Sequence, residues 1–276
     1  MENFKVCFPF GKMKAVTMSF DDGKTADRRL VKLLERYNLK GTFFLNSGQM
    51  HEVKEGKNEG YYGAYIPKCE IKKLYKNQEV GCHTLTHPCL TNLAIEEVYK
   101  EVMEDKLELE VQTNNIISGF SYPFGAYNNE IKEVLKSIGI LYARTVNDIK
   151  DFTLPKDLLE WHPTCHFRKG GLELAKEFIN IKSKEPKLYY LWGHSYELDG
   201  SNLWDFIEEI FKIISNNKDI WYETNYNVAE YLKACKRLVI SQDGNKIYNQ
   251  SNISVWINKD NKIIEISGGM FYEQKR

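Results

Sequence analysis

Short apolar runs alternate with longer amphipathic stretches through most of the chain. Ala15 to Phe20 is compact, rich in β-branched and aromatic residues and closed by Gly23, a pattern that predicts a buried strand. Further strands are predicted near Gly41–Leu45, Glu79–Val80, Ile116–Tyr122, Leu141–Val146, Leu188–Trp192 and Asp219–Tyr222. After the first strand, Leu30, Leu33, Leu34 and Tyr37 recur at helical spacing, with Thr25 or Asp27 as the expected cap. Helices are expected over 66–76, 95–111, 130–137, 171–183, 203–215 and 228–235, and the Glu/Lys run of the second of these reads as a solvated face. A polar, glycine-punctuated stretch over 47–63 reads as a long loop, of a length that often carries function.

Strand–helix alternation implies a parallel sheet covered by helices, and its natural closed form is a barrel with chemistry at the C-terminal strand ends. The period changes after residue 235. Lys236 to Ile240, Ser251 to Ile257 and Lys262 to Ile266 alternate like strands around Asp243-Gly244-Asn245 and Asn258–Asn261. That predicts a β-meander of two or three hairpins, a small C-terminal extension over 236–276 packed on a barrel domain over 1–235. A length of 276 residues and 42% hydrophobic content suit this arrangement. Lys+Arg and Asp+Glu are equal at 38 each, so charge gives no reason to expect nucleic acid or an anionic membrane as partner. No stretch is long and apolar enough to span a bilayer, and Met1 to Cys7 lacks a signal core, so the expected location is cytoplasmic. The six cysteines form no Cys-x-x-Cys pair and are expected to be reduced, mostly buried thiols.

The chemistry concentrates where the first strand ends. Asp21 and Asp22 are adjacent carboxylates at a strand terminus, where both can reach one cleft; they repel unless a proton or a cation separates their roles. His83 and His87, in Gly81-Cys82-His83-Thr84-Leu85-Thr86-His87-Pro88, supply partners for a cation, since a turn or helix would set both imidazoles on one side. Two histidines and one carboxylate leave a coordination position open for water. A structural zinc built from Cys82, His83, His87 and Cys89 is the competing arrangement, and it leaves the two aspartates unexplained.

In these segments the chain resembles the polysaccharide deacetylases, carbohydrate esterase family 4, with its NodB-type homology domain. The family's five motifs appear in order: Ser19-Phe20-Asp21-Asp22-Gly23; His83-Thr84-Leu85-Thr86-His87; Ser121-Tyr122-Pro123-Phe124-Gly125; a region near Trp161 in which the family's Asp-x-x-Asp-Trp is absent; and Trp192-Gly193-His194, with Trp where Leu is usual. The resemblance covers roughly residues 12 to 233. It implies a distorted (β/α)7 barrel and removal of acetyl groups from N-acetylated sugars. It further implies a divalent metal, zinc first with cobalt, nickel or manganese as substitutes, held by Asp22, His83 and His87. Residue order alone does not say which aspartate is the ligand; the resemblance assigns Asp22 to the metal and Asp21 to the general base. It places an oxyanion-binding N–H at Phe124, and motif order gives His194 as general acid. Tyr122, Trp161, His166 and Trp192 are the remaining expected residues of the substrate and oxyanion pocket.

The third motif lacks the family's arginine, with Ser121 at or near its place, and the fourth lacks the carboxylate that holds it. Arg144, ending a strand where the fourth motif belongs, is the expected replacement that orients Asp21. A second His-x-x-x-His, His162 to His166, contains Pro163, which interrupts a helix. A pocket role is expected for His166 and none is assigned to His162. Two alternatives accompany the deacetylase reading: O-acetyl ester or cyclic-amide hydrolysis on the same fold, because Trp192 reshapes the acyl pocket, and a non-catalytic carbohydrate-binding relic.

Overall fold

The computed structural model describes residues 4–51 and 63–273. Of the long loop expected over 47–63, residues 52–62 lie outside the described residues. In chain order the elements are β1 (Phe4–Cys7), β2 (Lys14–Asp21), α1 (Asp27–Arg36), β3 (Thr42–Leu45), α2 (Lys68–Leu74), β4 (Glu79–Cys82), α3 (Ile95–Thr113), β5 (Gly119–Ser121), α4 (Asn129–Ser137) and β6 (Tyr142–Arg144). There follow β7 (Cys165–His166), α5 (Gly171–Asn180), β8 (Lys187–His194), α6 (Tyr196–Gly200), α7 (Trp204–Ile214), β9 (Ile220–Tyr222) and α8 (Asn225–Lys236). The chain ends in β10 (Leu238–Ile240), β11 (Lys246–Asn249), β12 (Val255–Lys259), β13 (Lys262–Ile266) and β14 (Phe271–Glu273).

The central sheet runs β6-β5-β4-β3-β2-β8-β7, all parallel, and β9 pairs with the start of β2. The segment ending in β7 closes this path into a distorted barrel. Trp161 exchanges backbone hydrogen bonds with Ala143 and Thr145 around β6, while Cys165 and His166 pair with β8. Seven strands form the ring, as the resemblance implies, and β9 stands outside it. No helix among the described residues is long and apolar enough to cross a membrane.

Two layers of core follow from the period of two along β2. Val16, Met18 and Phe20 face the helices, in one cluster with Leu30, Leu34 of α1 and Ile207, Ile210 of α7. Ala15, Thr17, Ser19 and Asp21 alternate with them and face the barrel interior, where Ala15 clusters with Phe44, Tyr142, Trp161 and Tyr190. Thr17 and Ser19 are paired there, as burial demands: Thr17 donates to Asn225 at 2.7 Å, and the Ser19 and Tyr190 hydroxyls meet at 3.1 Å. Val228, Ala229 and Leu232 of α8 join the same cluster and plug the end from which the strands start. The opposite, C-terminal end stays available for chemistry.

Three local expectations are corrected. Neither Thr25 nor Asp27 caps α1; Asp27 is the first helical residue, fully buried, and accepts from the Tyr75 hydroxyl at 2.6 Å. The solvated face expected of α3 is interrupted by Asp105, which points inward with no exposure. The C-terminal region is two three-stranded sheets in place of one meander. They are β10-β11-β14 and β1-β12-β13, so residues 4–7 from the chain's start pair with β12.

Candidate functional site

Asp21 is the last residue of β2, and the chain turns at Asp22, whose φ of 78° lies in the left-handed region that side chains with a Cβ seldom adopt. This turn brings both carboxylates to the barrel mouth. His83 follows β4 and His87 lies four residues on, but on a loop and not a helix. Left-handed backbone at Thr84 (φ 68°) and His87 (φ 64°) folds that loop back on itself. Thr84 Oγ1 accepts the His87 N–H at 3.0 Å, and Asn46 donates to the carbonyls of both His83 and Thr84. The buried Asp105 accepts the His83 N–H at 3.0 Å and the Ser47 N–H and hydroxyl at 2.8 and 2.6 Å. Strained backbone held by this many bonds is characteristic of sites where geometry serves function.

The result is a convergent donor set. Asp22, His83 and His87 each present one ligand atom, all within 4.8 Å of one another. Asp22 Oδ1 stands 3.6 Å from His83 Nε2 and 3.7 Å from His87 Nε2, too far for hydrogen bonds. Burial, opposed by the charges of Asp21 and Asp22, pushes the His83 imidazole down to about 4. His83 is therefore neutral near pH 7. Its Nδ1 lies 2.8 Å from the Ser121 carbonyl, which accepts only if Nδ1 carries the proton, and Nε2 is left with a lone pair. A neutral imidazole oriented from behind, a second imidazole and a carboxylate fit a divalent cation. Neither Cys82 nor Cys89 belongs to the donor group that forms.

Asp21 sits beside that group without being part of it. Its Oδ2 is 3.8 Å from His83 Nε2 and is ion-paired with Arg144, whose guanidinium is fully buried. Ser121 and Arg144 are register partners on β5 and β6, and Arg144 Nη2 also donates to Ser121 Oγ at 2.5 Å. A serine at the third-motif position thus makes room for a guanidinium from the next strand. Burial alone raises the Asp21 carboxyl, but the charge of Arg144, then of His83 and His194, outweighs it and holds the group below its usual range. Asp21 Oδ1 is buried and has no hydrogen-bond partner among the described residues, so one oxygen of this carboxylate is left free to accept from a bound molecule.

Trp192 walls the other side. Its ring lies 4.2 Å from the Arg144 guanidinium carbon and meets His166 edge-on at 4.8 Å, and its Nε1 donates to Asp148 at 2.8 Å. Asp148 also accepts the His166 N–H at 2.8 Å. His194, the last residue of β8, is the register partner of Asp21. Burial draws its imidazole down, but the hydrogen bond to Glu197 and the charges of Asp21 and Asp22 outweigh this and leave it above its usual value. Phe124 lies at φ 57° in the Pro123–Gly125 turn, with its ring exposed and edge-on to His87 at 4.7 Å.

Other expected residues are placed elsewhere. Tyr122 is fully buried, stacks on Tyr127 and donates to the Leu159 carbonyl at 2.8 Å, so its side chain belongs to the core. Trp161 is likewise an interior residue, packed edge-on against Tyr142 and Tyr190. The second His-x-x-x-His does not converge: His162 bonds Thr145 at 2.6 Å, whereas His166 turns to Glu197 at 2.9 Å. Glu197, Asp148 and Asp105 were not singled out from sequence. Glu197 alone had a local signal, its place three residues after His194.

Similarity to known proteins follows the same segments. Residues 11–143 match the family model described as polysaccharide deacetylase. The peptidoglycan-N-acetylmuramic acid deacetylase PdaC of Bacillus subtilis is 25% identical over 140 residues, and the peptidoglycan-N-acetylglucosamine deacetylase PgdA of Listeria monocytogenes is 26% identical over 141. Each match covers 50% of this chain and 27% of the relative, so the shared region is about a quarter of those proteins. Among solved structures, a putative polysaccharide deacetylase from Mycobacterium smegmatis superposes with a TM-score of 0.61 at 18% identity, covering 84% of this chain and 94% of that one, which shows a common fold. Over residues 11–143, which hold the first three motifs, this chain is similar to the polysaccharide deacetylase family.

Proposed function

We propose that the protein is a metal-dependent hydrolase that removes acetyl groups from N-acetylated sugars, with peptidoglycan-type glycans as the first class to try, since the curated relatives are named for them. The observation that carries this reading is the juxtaposition at one strand-end cleft of Asp22, His83 and His87 with an ion-paired Asp21. A divalent cation held by those three side chains would supply Lewis acidity toward water and the acetyl carbonyl. Asp21, ionised and fixed by Arg144, accepts the proton of the attacking water through its unpartnered oxygen. The backbone N–H of Phe124 faces the developing oxyanion. His194 gives its proton to the leaving nitrogen. Trp192, clamped by Asp148, Arg144 and His166, bounds the acyl group.

Arg144 also weighs against a binding relic, because the position vacated at Ser121 is refilled by a cation on the same carboxylate. Trp192 supports a second reading, O-acetyl ester hydrolysis, since a bulky wall changes how the acyl group and its leaving atom enter. Acetate release from matched N-acetyl and O-acetyl glycans, by the protein reconstituted with zinc, decides among them. N-acetyl turnover that disappears in His83→Ala supports the proposal. Release from esters alone supports the second reading, and no release from any glycan by the metal-loaded protein overturns both.

A further inference from the structure

His194 has a carboxylate partner that lies outside all five motifs. One oxygen of Glu197, at the first turn of α6, gathers the His194 backbone N–H at 3.3 Å, His194 Nδ1 at 3.3 Å and His166 Nε2 at 2.9 Å. Its other oxygen faces the Arg168 guanidinium at 3.6 Å. His166, His194 and Glu197 also bring their ligand atoms close enough together to form a candidate cation cradle. Proton bookkeeping separates the two possibilities. The Arg168 backbone N–H donates to His166 Nδ1 at 3.2 Å, and a neutral imidazole has one donor and one acceptor nitrogen. The His166 proton therefore sits on Nε2 and faces Glu197, at the position where a metal would require a lone pair.

We infer that Glu197, held in place by His166 and Arg168, is the positioning residue for His194: it keeps the proton on Nδ1 and so leaves Nε2 as the atom that carries the transferable proton. The inference rests on His194 acting as the general acid. The three donors on one oxygen keep Glu197 ionised despite burial, which otherwise raises a carboxyl. The other groups facing His194 are Asp21 and Asp22 from the end of β2, His166 from β7, with ring centres 6.1 Å apart, and Tyr196 of α6, with ring centres 5.0 Å apart. Glu197 is bonded to its ring nitrogen. A short helix starting directly after the strand supplies this carboxylate.

The test uses zinc-loaded protein labelled with 15N in histidine. In the unsubstituted protein, neutral His194 is expected as the Nδ1–H tautomer; an Nε2–H tautomer overturns the inference without any variant being made. Glu197→Gln keeps the shape and removes the charge. It is expected to lower kcat about tenfold or more with little change in KM, and to move the alkaline limb of the pH–rate profile to lower pH, because the imidazolium loses its anion. An unchanged kcat and limb in folded Glu197→Gln overturns the inference, as does a second bound zinc that disappears in that variant. His194→Ala separates this failure from that of the underlying reading: full turnover without His194 means it is not the acid, whatever its tautomer.

Discussion

At the scale of single residues, Asp21 answers two demands that conflict in water. As the proposed general base it must stay ionised although buried beside a second carboxylate, and it must keep one oxygen unengaged. Arg144 meets the first by charge and the second by direction, since it binds Oδ2 and leaves Oδ1 bare. A lysine carries the charge but lacks the planar, forked geometry and the flat contact with the Trp192 ring. Arg144→Lys is therefore expected to lower kcat by about tenfold to a hundredfold while metal content stays unchanged. On the proposed roles, the wild-type rate is expected to rise with pH as Asp21 ionises and to fall as His194 loses its proton. The first limb is expected below the usual carboxylate range and the second above the usual imidazole range, with a broad plateau between them. In Arg144→Lys the acid limb should move upward, because the less well-placed cation favours the Asp21 anion less; a pH–rate profile reads this directly. The two aspartates separate by metal analysis: Asp21→Asn should retain metal and lose turnover, and Asp22→Asn should lose both.

At the scale of elements, α3 does more than cover the sheet. Asp105 projects from it into a fully buried position and satisfies three donors, two on Ser47 and one on His83. The helix thereby fixes the loop after β3 and the loop after β4 at once. Asp105→Ala leaves those donors buried without partners, at a cost of about 3 kcal/mol. A lower thermal midpoint is expected, together with weaker zinc retention measured by competition with a chelator, because the His83 backbone is released. A fall in stability with zinc affinity unchanged would mean that His83 is held by β4 alone. The aspartate was unremarkable in sequence because its neighbours Glu101, Glu104, Lys106 and Glu108 make the helix look charged all round. Only the packing of α3 against β4 and the turn at Ser47 selects which carboxylate turns inward.

At the scale of the whole molecule, the ring of strands lets residues distant in the chain act on one atom. Asp21, Ser121 and Arg144 come from β2, β5 and β6 and meet within hydrogen-bond reach. A cation bound to the native cleft and not to the unfolded chain stabilises the fold by about 2.7 kcal/mol when present at a hundredfold over its dissociation constant. Zinc is accordingly expected to raise the unfolding midpoint and a chelator to reverse the shift. His83→Ala and His87→Ala should each abolish the difference. Occupancy should fall in acid as the ligand carboxylate and imidazoles take up protons. A zinc-dependent shift that survives both histidine variants would place the cation elsewhere.

The order of strands and helices, the placement of Asp21-Asp22-Gly23 at a strand end and the β-rich character of the chain after residue 235 were legible from periodicity. Burial of one face imposes a period of two or near four on any chain that folds this way. The motifs were legible because the cleft needs particular side chains at fixed short spacings. Convergence was a different matter. Asp22, His87 and Phe124 reach the cleft through left-handed backbone that non-glycine residues adopt only when surrounding bonds impose it, and local sequence does not encode those bonds. The β1–β12 pairing, the inward turn of Asp105 and the gathering of His166 and His194 on Glu197 join residues far apart in the chain or on separate elements. Arg144 stands between the two cases: its strand-end position was readable, but its partner was decided by barrel closure. Side-chain periodicity reports which face of an element is buried, whereas the curvature of the sheet decides which strand ends face one another across the interior.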